Sequence, residues 1–398
     1  MPGYKLLNHI RVADMTTVIF GPYCTQNLSD MGADVIKLEP PKGDDFRNVG
    51  KPANNKGMGP CHMTINRGKR SVSWDTKSDA GRDAIKALIL SSDVFIHNIR
   101  PDAIERLGLT FDEVKKIKPD IVYVHCLGFS PDGPYSGRPA YDDLIQSLSG
   151  ATMLLPRVDG NPAPRFLPTA FADKVSGLHA TYATLAALQH RDRTGEAVHV
   201  EVPMFECVTA FLLEEHMFGA TFDPPSGPFC YQRQVDPARQ PLRTQDGWIT
   251  IAPYVDARWI RLFSVMEADN ELLDERINTP RGRFFEHDYM MSRVQAYFVN
   301  KTTAAWLKLL GDADIPAAPV NDFADLQKDP HLKATEFFKK REHPSEGGYW
   351  EVQPPIRFVG HDKKDIVSAP RLGEHTQSVL DELGVAISGL RPTRADKV

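Results

Sequence analysis

The first third of the chain alternates short apolar runs with longer amphipathic ones. Residues 10–14 (IRVAD), 33–39 (ADVIKLE), 69–76 (KRSVSWDT), 93–98 (DVFIHN) and 120–129 (DIVYVHCLGF) have the length and content of strands. Between them, 21–32, 78–92 and 111–118 carry helical patterning, the first ending at Gly32. Apolar strands separated by helices predict a parallel sheet covered on both faces, a Rossmann-like α/β half. The loop after the first strand, MTTVIFGP, has no GxGxxG, so no dinucleotide is assigned to it.

From 141 to 220 the pattern is mostly helical, interrupted by a strand at 197–202 (AVHVEV). Residues 221–241 hold five prolines and little periodicity, which marks a boundary loop. Beyond it a strand at 247–253 (GWITIAP) precedes amphipathic helices at 256–266, 281–301 and 302–313, together a smaller α+β domain. Residues 314–322 (DIPAAPVND) break the pattern, and the last seventy residues read as short helices and loops.

The 398 residues are 41% hydrophobic and 25% charged, the balance of an ordinary globular enzyme. A net charge of -5 argues against a nucleic-acid surface or a polybasic membrane anchor, so an anionic ligand needs a local basic pocket. The five cysteines (Cys24, Cys61, Cys126, Cys207, Cys230) are scattered without a CxxC pair, which fits a reducing cytoplasm. Neither a signal-peptide-like N-terminus nor a run near ~18 apolar residues is present, so the expected location is cytoplasmic, off the membrane. None of the thirteen histidines forms HExxH, and His179 and His190 are too far apart on one helix to chelate an ion, so no metal is expected. There is no G-x-S-x-G elbow.

Candidate chemistry centres on Asp173, a lone carboxylate where nearly every residue from 169 to 188 is small or apolar. The helix after it carries Val175, Leu178, Tyr182, Leu185 and Leu188 at buried-stripe spacing. Two readings stand side by side. As an N-cap, Asp173 would contribute about 1 kcal/mol. As a nucleophile, it would be kept ionised by the positive helix end, against the burial that pushes its pKa up. Basic residues near strand ends (the 66–71 loop NRGKRS, Lys77, Arg100, Arg106) suit phosphates, Arg in a planar fork, or are simply solvated.

Several segments occur together and in order: GPYCTQNLSDMGADVIKLEPPKGDDFR, NRGKRSVSWDTK, DVFIHNIRPDAIERLGL, AYDDLIQSLSG, ADKVSGLHATYATLAALQHRDRTGEAVHVEVPMFE and RLGEHTQSVLDELG. Over about residues 5–385 the chain resembles the family III CoA-transferases, the group of formyl-CoA transferase and carnitine CoA-transferase. The resemblance implies an interlocked homodimer with a large CoA-binding domain at 1–220 plus 325–398 and a small domain at 221–324. It implies Asp173 as the nucleophile, passing through an aspartyl anhydride and an aspartyl–CoA thioester. Coenzyme A and acyl-CoA are implied as substrates, with no permanently bound cofactor, and a carboxylic acid as acceptor. Matching motifs assign CoA contacts to Ile19, Phe20, Trp74, Asp75, Thr76, Lys77, Asn98, Ile99, Arg100, Arg106, Arg138, Pro139, Ala140 and Tyr141, with Lys77, Arg100 and Arg106 on the phosphates.

The chain departs from the pattern in three places. Some members carry an Arg after the second strand where this chain has Pro40. The glycine run of formyl-CoA transferase is absent. The segment SGPFCYQRQVDPARQPLRTQDGW stands there, offering Gln232, Arg233, Arg239 and Arg243 to the distal carboxylate of a dicarboxylic acid or, alternatively, to solvent. The related α-methylacyl-CoA racemases carry a His where this chain has Tyr141, and a phenol with a pKa near ~10 is a poor base at neutral pH. A transferase is therefore expected, with a racemase or epimerase and a non-catalytic acyl-CoA-binding protein as the alternatives.

Overall fold

The structure is a computed structural model that describes residues 4–361 and 366–386. Two compact units divide the chain. The first comprises Met1–Thr152, Phe166–Glu214 and Glu336–Val398, and the second Met153–Arg165 and Glu215–Thr335. Residues 1–3, 362–365 and 387–398 of the expected large domain lie outside the described residues.

In the first unit, β1 (Arg11–Met15), β2 (Asp34–Glu39), β3 (Arg70–Ser73), β4 (Val94–His97), β5 (Val122–Leu127) and β6 (Val198–Pro203) form one sheet in the order β3-β2-β1-β4-β5-β6. Every pairing is parallel. The central strands are buried on both faces, which is why they read as continuous apolar runs. Edge strand β6 instead alternates exposed and half-buried positions. The helices are α1 (Phe20–Asp30), α2 (Pro60–Ile65), α3 (Asp79–Leu90), α4 (Pro101–Arg106), α5 (Phe111–Ile117), α6 (Asp142–Leu148), α7 (Leu154–Asp159), α8 (Phe171–Thr194) and α9 (Met204–His216), with α7 falling in the second unit. A core of Ile36, Val72, Trp74, Ile85, Leu88, Phe95, Val114 and Tyr123 joins the sheet to α3 and α5.

Helix α8 overturns the expected apolar stripe. Leu178 and Tyr182 are 50% and 58% exposed, whereas Ala172, Ser176, Gly177, Ala180, Thr181, Thr184 and Ala187 are buried beside Val175 and Leu188. The cause is a close helix crossing. A β-carbon on Gly177 would lie 2.9 Å from the Phe20 carbonyl oxygen and 3.0 Å from the Tyr23 ring, so only small residues fit between α8 and α1. Farther along, Asn27 Nδ2 donates to Thr181 Oγ1 at 3.4 Å.

The last seventy residues also differ from expectation. Phe338–His343 and Gly347–Val352 form an antiparallel hairpin. Its turn is tied by Glu346, which accepts the Asn54 and Asn55 N–H groups at 2.9 and 3.1 Å, a long-range contact that no local pattern reports.

The second unit sets a three-stranded antiparallel sheet (Leu242–Arg243, Trp248–Ile251, Ala317–Pro319) among helices that include Asp256–Val265 and Thr303–Asp312. The single helix expected over 281–301 is two, Pro280–Phe285 and His287–Phe298, broken where Glu286 leaves helical geometry (φ −113°, ψ 35°). The strand Ala317–Pro319 falls inside the segment read as a pattern break. Trp306 stacks on Phe298 at 4.4 Å and donates its indole N–H to the Phe298 carbonyl, anchoring a core with Ile249, Phe263 and Val294.

Candidate active site

Six parallel strands place all their carboxyl ends on one edge, and the strand order reverses between β1 and β4. Open α/β sheets hold ligands at such a reversal. Its walls are the 16–19 turn after β1 and the Asn98–Arg100 segment after β4. Asn98 joins them, its Oδ1 accepting the Thr17 N–H and its Nδ2 donating to the Thr17 carbonyl, both at 3.0 Å. Ile99 is held from both sides: its N–H donates to His97 Nδ1 at 3.2 Å, and its carbonyl lies 2.9 Å from His125 Nε2. Helix α1 starts at this crevice because Gly21 lets it. A β-carbon there would lie 2.3 Å from the Thr16 side chain.

Asp173 is the third residue of α8, not its cap. Ala170 occupies the cap position, and no side chain caps the helix from there. The Asp173 N–H, one of the free donors of the first helical turn, goes instead to Asp142 Oδ1 at 3.1 Å. Asp142 is held in turn by Gln146, whose Nε2 donates to its other oxygen at 2.6 Å while its Oε1 accepts the Leu167 N–H at 2.8 Å. The Asp173 carboxylate is thereby left free of capping duty.

The electrostatic expectation for this group needs correction. Burial, followed by the neighbouring Asp142 charge, pushes the Asp173 carboxyl up to about 7 from an ordinary 3.8. A hydrogen bond from the Phe20 backbone opposes the rise without cancelling it. The positive end of the helix therefore does not keep Asp173 fully ionised at neutral pH.

The remaining expected ligand residues follow strand ends. Ile19 and Phe20 follow β1, half-buried and buried. After β3, Trp74 is a core residue at 1% exposure, while Asp75 and Lys77 are exposed and Thr76 is half-buried. Arg100 precedes α4, and Arg106 ends it in an exposed pair with Asp102 at 3.2 Å. Such a pair contributes little and is easily exchanged for a phosphate. After β5, Arg138 lies over the Tyr135 ring at 4.4 Å, Pro139 is exposed, Ala140 packs against Gly128, and Tyr141 is 67% exposed.

Gln232, Arg233 and Arg239 belong to the second unit. Gln232 Nε2 donates to the Cys230 carbonyl at 3.2 Å, Arg233 lies over the Tyr254 ring at 4.5 Å, and Arg239 Nη1 donates to Gln234 Oε1 at 2.9 Å. That unit also gathers Asp236, His287 and Asp288, of which His287 and Asp236 pair at 2.6 Å. Asp142 and Gln146 were not singled out from sequence for this arrangement. Their spacing of four on one helix was the available signal.

The family model described as CoA-transferase family III matches residues 7–376. The chain belongs to that family. It is similar to the succinate–glutarate CoA-transferase of Agrobacterium fabrum, 30% identical over 96% of this chain and 97% of that one. It is also similar to the formyl-CoA:oxalate CoA-transferase of Streptomyces coelicolor, 31% identical over 99% of each. Among solved structures, a CAIB/BAIF family protein from Brucella suis superposes with a TM-score of 0.82 at 28% identity, covering 96% of this chain and all of that one (100%). As a family III CoA-transferase the protein is an enzyme with acyl-CoA as a substrate. Among the described residues no helix is long and apolar enough to cross a membrane.

Proposed function

We propose that this CoA-transferase moves CoA from a donor such as succinyl-CoA to a dicarboxylic acid, with Asp173 as the covalent nucleophile. The observation that carries the reading is the half-buried Asp173 carboxylate, its pKa raised, beside the amino end of α1 while another acid caps its helix. In the first step an Asp173 oxygen attacks the thioester carbon, and CoA leaves as thiolate. The mixed anhydride so formed is attacked by that thiolate at the aspartyl carbonyl, releasing the donor's carboxylate and leaving an aspartyl–CoA thioester. The acceptor carboxylate then attacks this thioester and expels the thiolate, which attacks the acceptor's own acyl carbon and regenerates Asp173. Each step exchanges one activated acyl group for another, and holding the reactants at one site supplies the effective concentration a weak nucleophile lacks.

Lys77 and Arg100, which follow β3 and β4, and Arg106 at the end of α4 would hold the CoA phosphates, with Arg well shaped for that task. The dicarboxylate assignment is supported by the acceptors named for both relatives, glutarate and oxalate. Exposed Arg233 and Arg239 would bind the distal carboxylate. Replacing either by Met should raise the KM for a dicarboxylic acceptor about tenfold, leaving that for the CoA donor nearly unchanged. Unchanged acceptor KM values in steady-state exchange assays would remove these arginines from the reading.

The interlocked homodimer belongs to the same reading. It is supported by the exposed apolar side chains of Leu178 and Tyr182 on α8 and Phe211 on α9.

A further inference from the structure

The 16–19 turn is held by an unusual amount of buried charge. Val18 lies at φ 68°, in the left-handed region that a β-branched residue avoids. Its side chain is 39% exposed, so the conformation is imposed through the backbone rather than by side-chain packing. The Val18 N–H donates to both Asp44 oxygens, at 3.1 and 3.3 Å. Asp44, 3% exposed, also receives Lys37 Nζ at 3.2 Å, and fully buried Lys37 donates to the Thr16 carbonyl at 2.7 Å. The Thr16 N–H donates to Asp14 Oδ1 at 2.9 Å, and Lys69 stands 3.6 Å behind Asp14. From the other wall of the crevice Asn98 fixes Thr17. Two residues beyond Val18 is Phe20, at the amino end of α1, whose carbonyl oxygen would lie 2.9 Å from a β-carbon on Gly177, one turn after Asp173, and whose backbone opposes the rise of the Asp173 carboxyl.

We propose that Asp44 is a positioning residue for the nucleophile: its buried carboxylate holds Val18 in the left-handed region and thereby keeps the Phe20 N–H directed at the Asp173 carboxylate. The inference rests on Asp173 being the nucleophile. Strain kept at a functional site, and maintained by surrounding structure, is a known form of preorganisation. Asp44 has a plainer task as well, capping the turn Asp45–Asn48 by accepting the Phe46 N–H at 3.0 Å. Loss of a cap lowers stability. It leaves the ionisation of a carboxylate on another helix where it was.

That difference gives the test. The titratable group facing Asp173 is Asp142 from α6, and those around Asp44 are Lys37 and Glu39, with Asp14 and Lys69 behind. The full chain is acylated with succinyl-CoA at pH values from about 5 to 9, then trapped with hydroxylamine at one fixed pH, and the Asp173 peptide is quantified. Val18→Gly adopts the positive φ freely and still donates to Asp44, so it should keep the parent's pH midpoint. Val18→Pro can do neither, and it should label about tenfold more slowly with its midpoint moved upward, because the bond favouring the charged form is lost. Asp44→Ala, which leaves the Val18 N–H without its acceptor, should move the midpoint in the same direction. Should that variant fail to fold, the two Val18 variants decide alone. Parent-like midpoints in Val18→Pro and Asp44→Ala, with only a lower melting temperature, would overturn the positioning role. A parent protein in which no Asp173 hydroxamate forms would remove the nucleophile itself, and the inference with it.

Discussion

Asp173→Asn is expected to lower CoA transfer by at least about 10³-fold while leaving acyl-CoA binding within a few-fold of the parent protein. Asn preserves the shape and the backbone N–H that Asp142 accepts, but an amide does not form the anhydride or the thioester. The same substitution should make the protein more stable above neutral pH. An unfolded Asp ionises near 3.8, whereas this one waits until about 7 in the folded state. Between those values the folded chain holds a proton that the unfolded chain has lost, so stability falls as pH rises through the window. The corresponding penalty is on the order of 4 kcal/mol once Asp173 is fully charged. Melting curves at pH 5 and pH 8 check the sign: the advantage of Asp173→Asn over the parent should be larger at pH 8. A variant inactive but no more stable at pH 8 would mean that the carboxylate is not disfavoured in the folded chain.

The second large effect is on pH dependence. As the proposed nucleophile Asp173 would react as the anion, so the donor half-reaction should rise through about pH 7, the value to which burial and Asp142 bring it. Asp142→Asn removes the second of those causes while keeping an oxygen for the Asp173 N–H. The acidic limb should then move down by about one pH unit. The plateau rate should fall somewhat, because a less basic carboxylate is a weaker nucleophile. A limb that stays in place in Asp142→Asn would show that Asp142 acts only as the cap of α8.

What the chain's pattern revealed, and what it hid, follows from the range of the forces involved. Strands β1, β4 and β5 are buried on both faces, and burial of that kind appears as a continuous apolar run in sequence. Asn98 and Arg100, assigned by motif, follow a strand at the reversal of strand order, so motif and topology point to the same edge. The buried face of α8 was not. Leu178 and Tyr182 have core-like character and lie exposed, because Gly177 admits α1 so closely that bulk must face elsewhere. Asp142 belongs to the same class. It stands 31 residues before Asp173 and meets its backbone only once α6 and α8 have packed. Glu346 reaching Asn54 and Asn55 hid the hairpin for the same reason.

The central claim, that Asp173 carries the acyl group, is tested most directly by peptide mass spectrometry after incubation with a panel of acyl-CoAs and hydroxylamine. A hydroxamate on Asp173, formed with at least one donor and absent from Asp173→Asn, is the predicted result, and the donor that labels it names the substrate class. An unmodified Asp173 in a protein that exchanges the acyl α-hydrogen with heavy water would contradict the claim and point to a proton-transfer reaction instead.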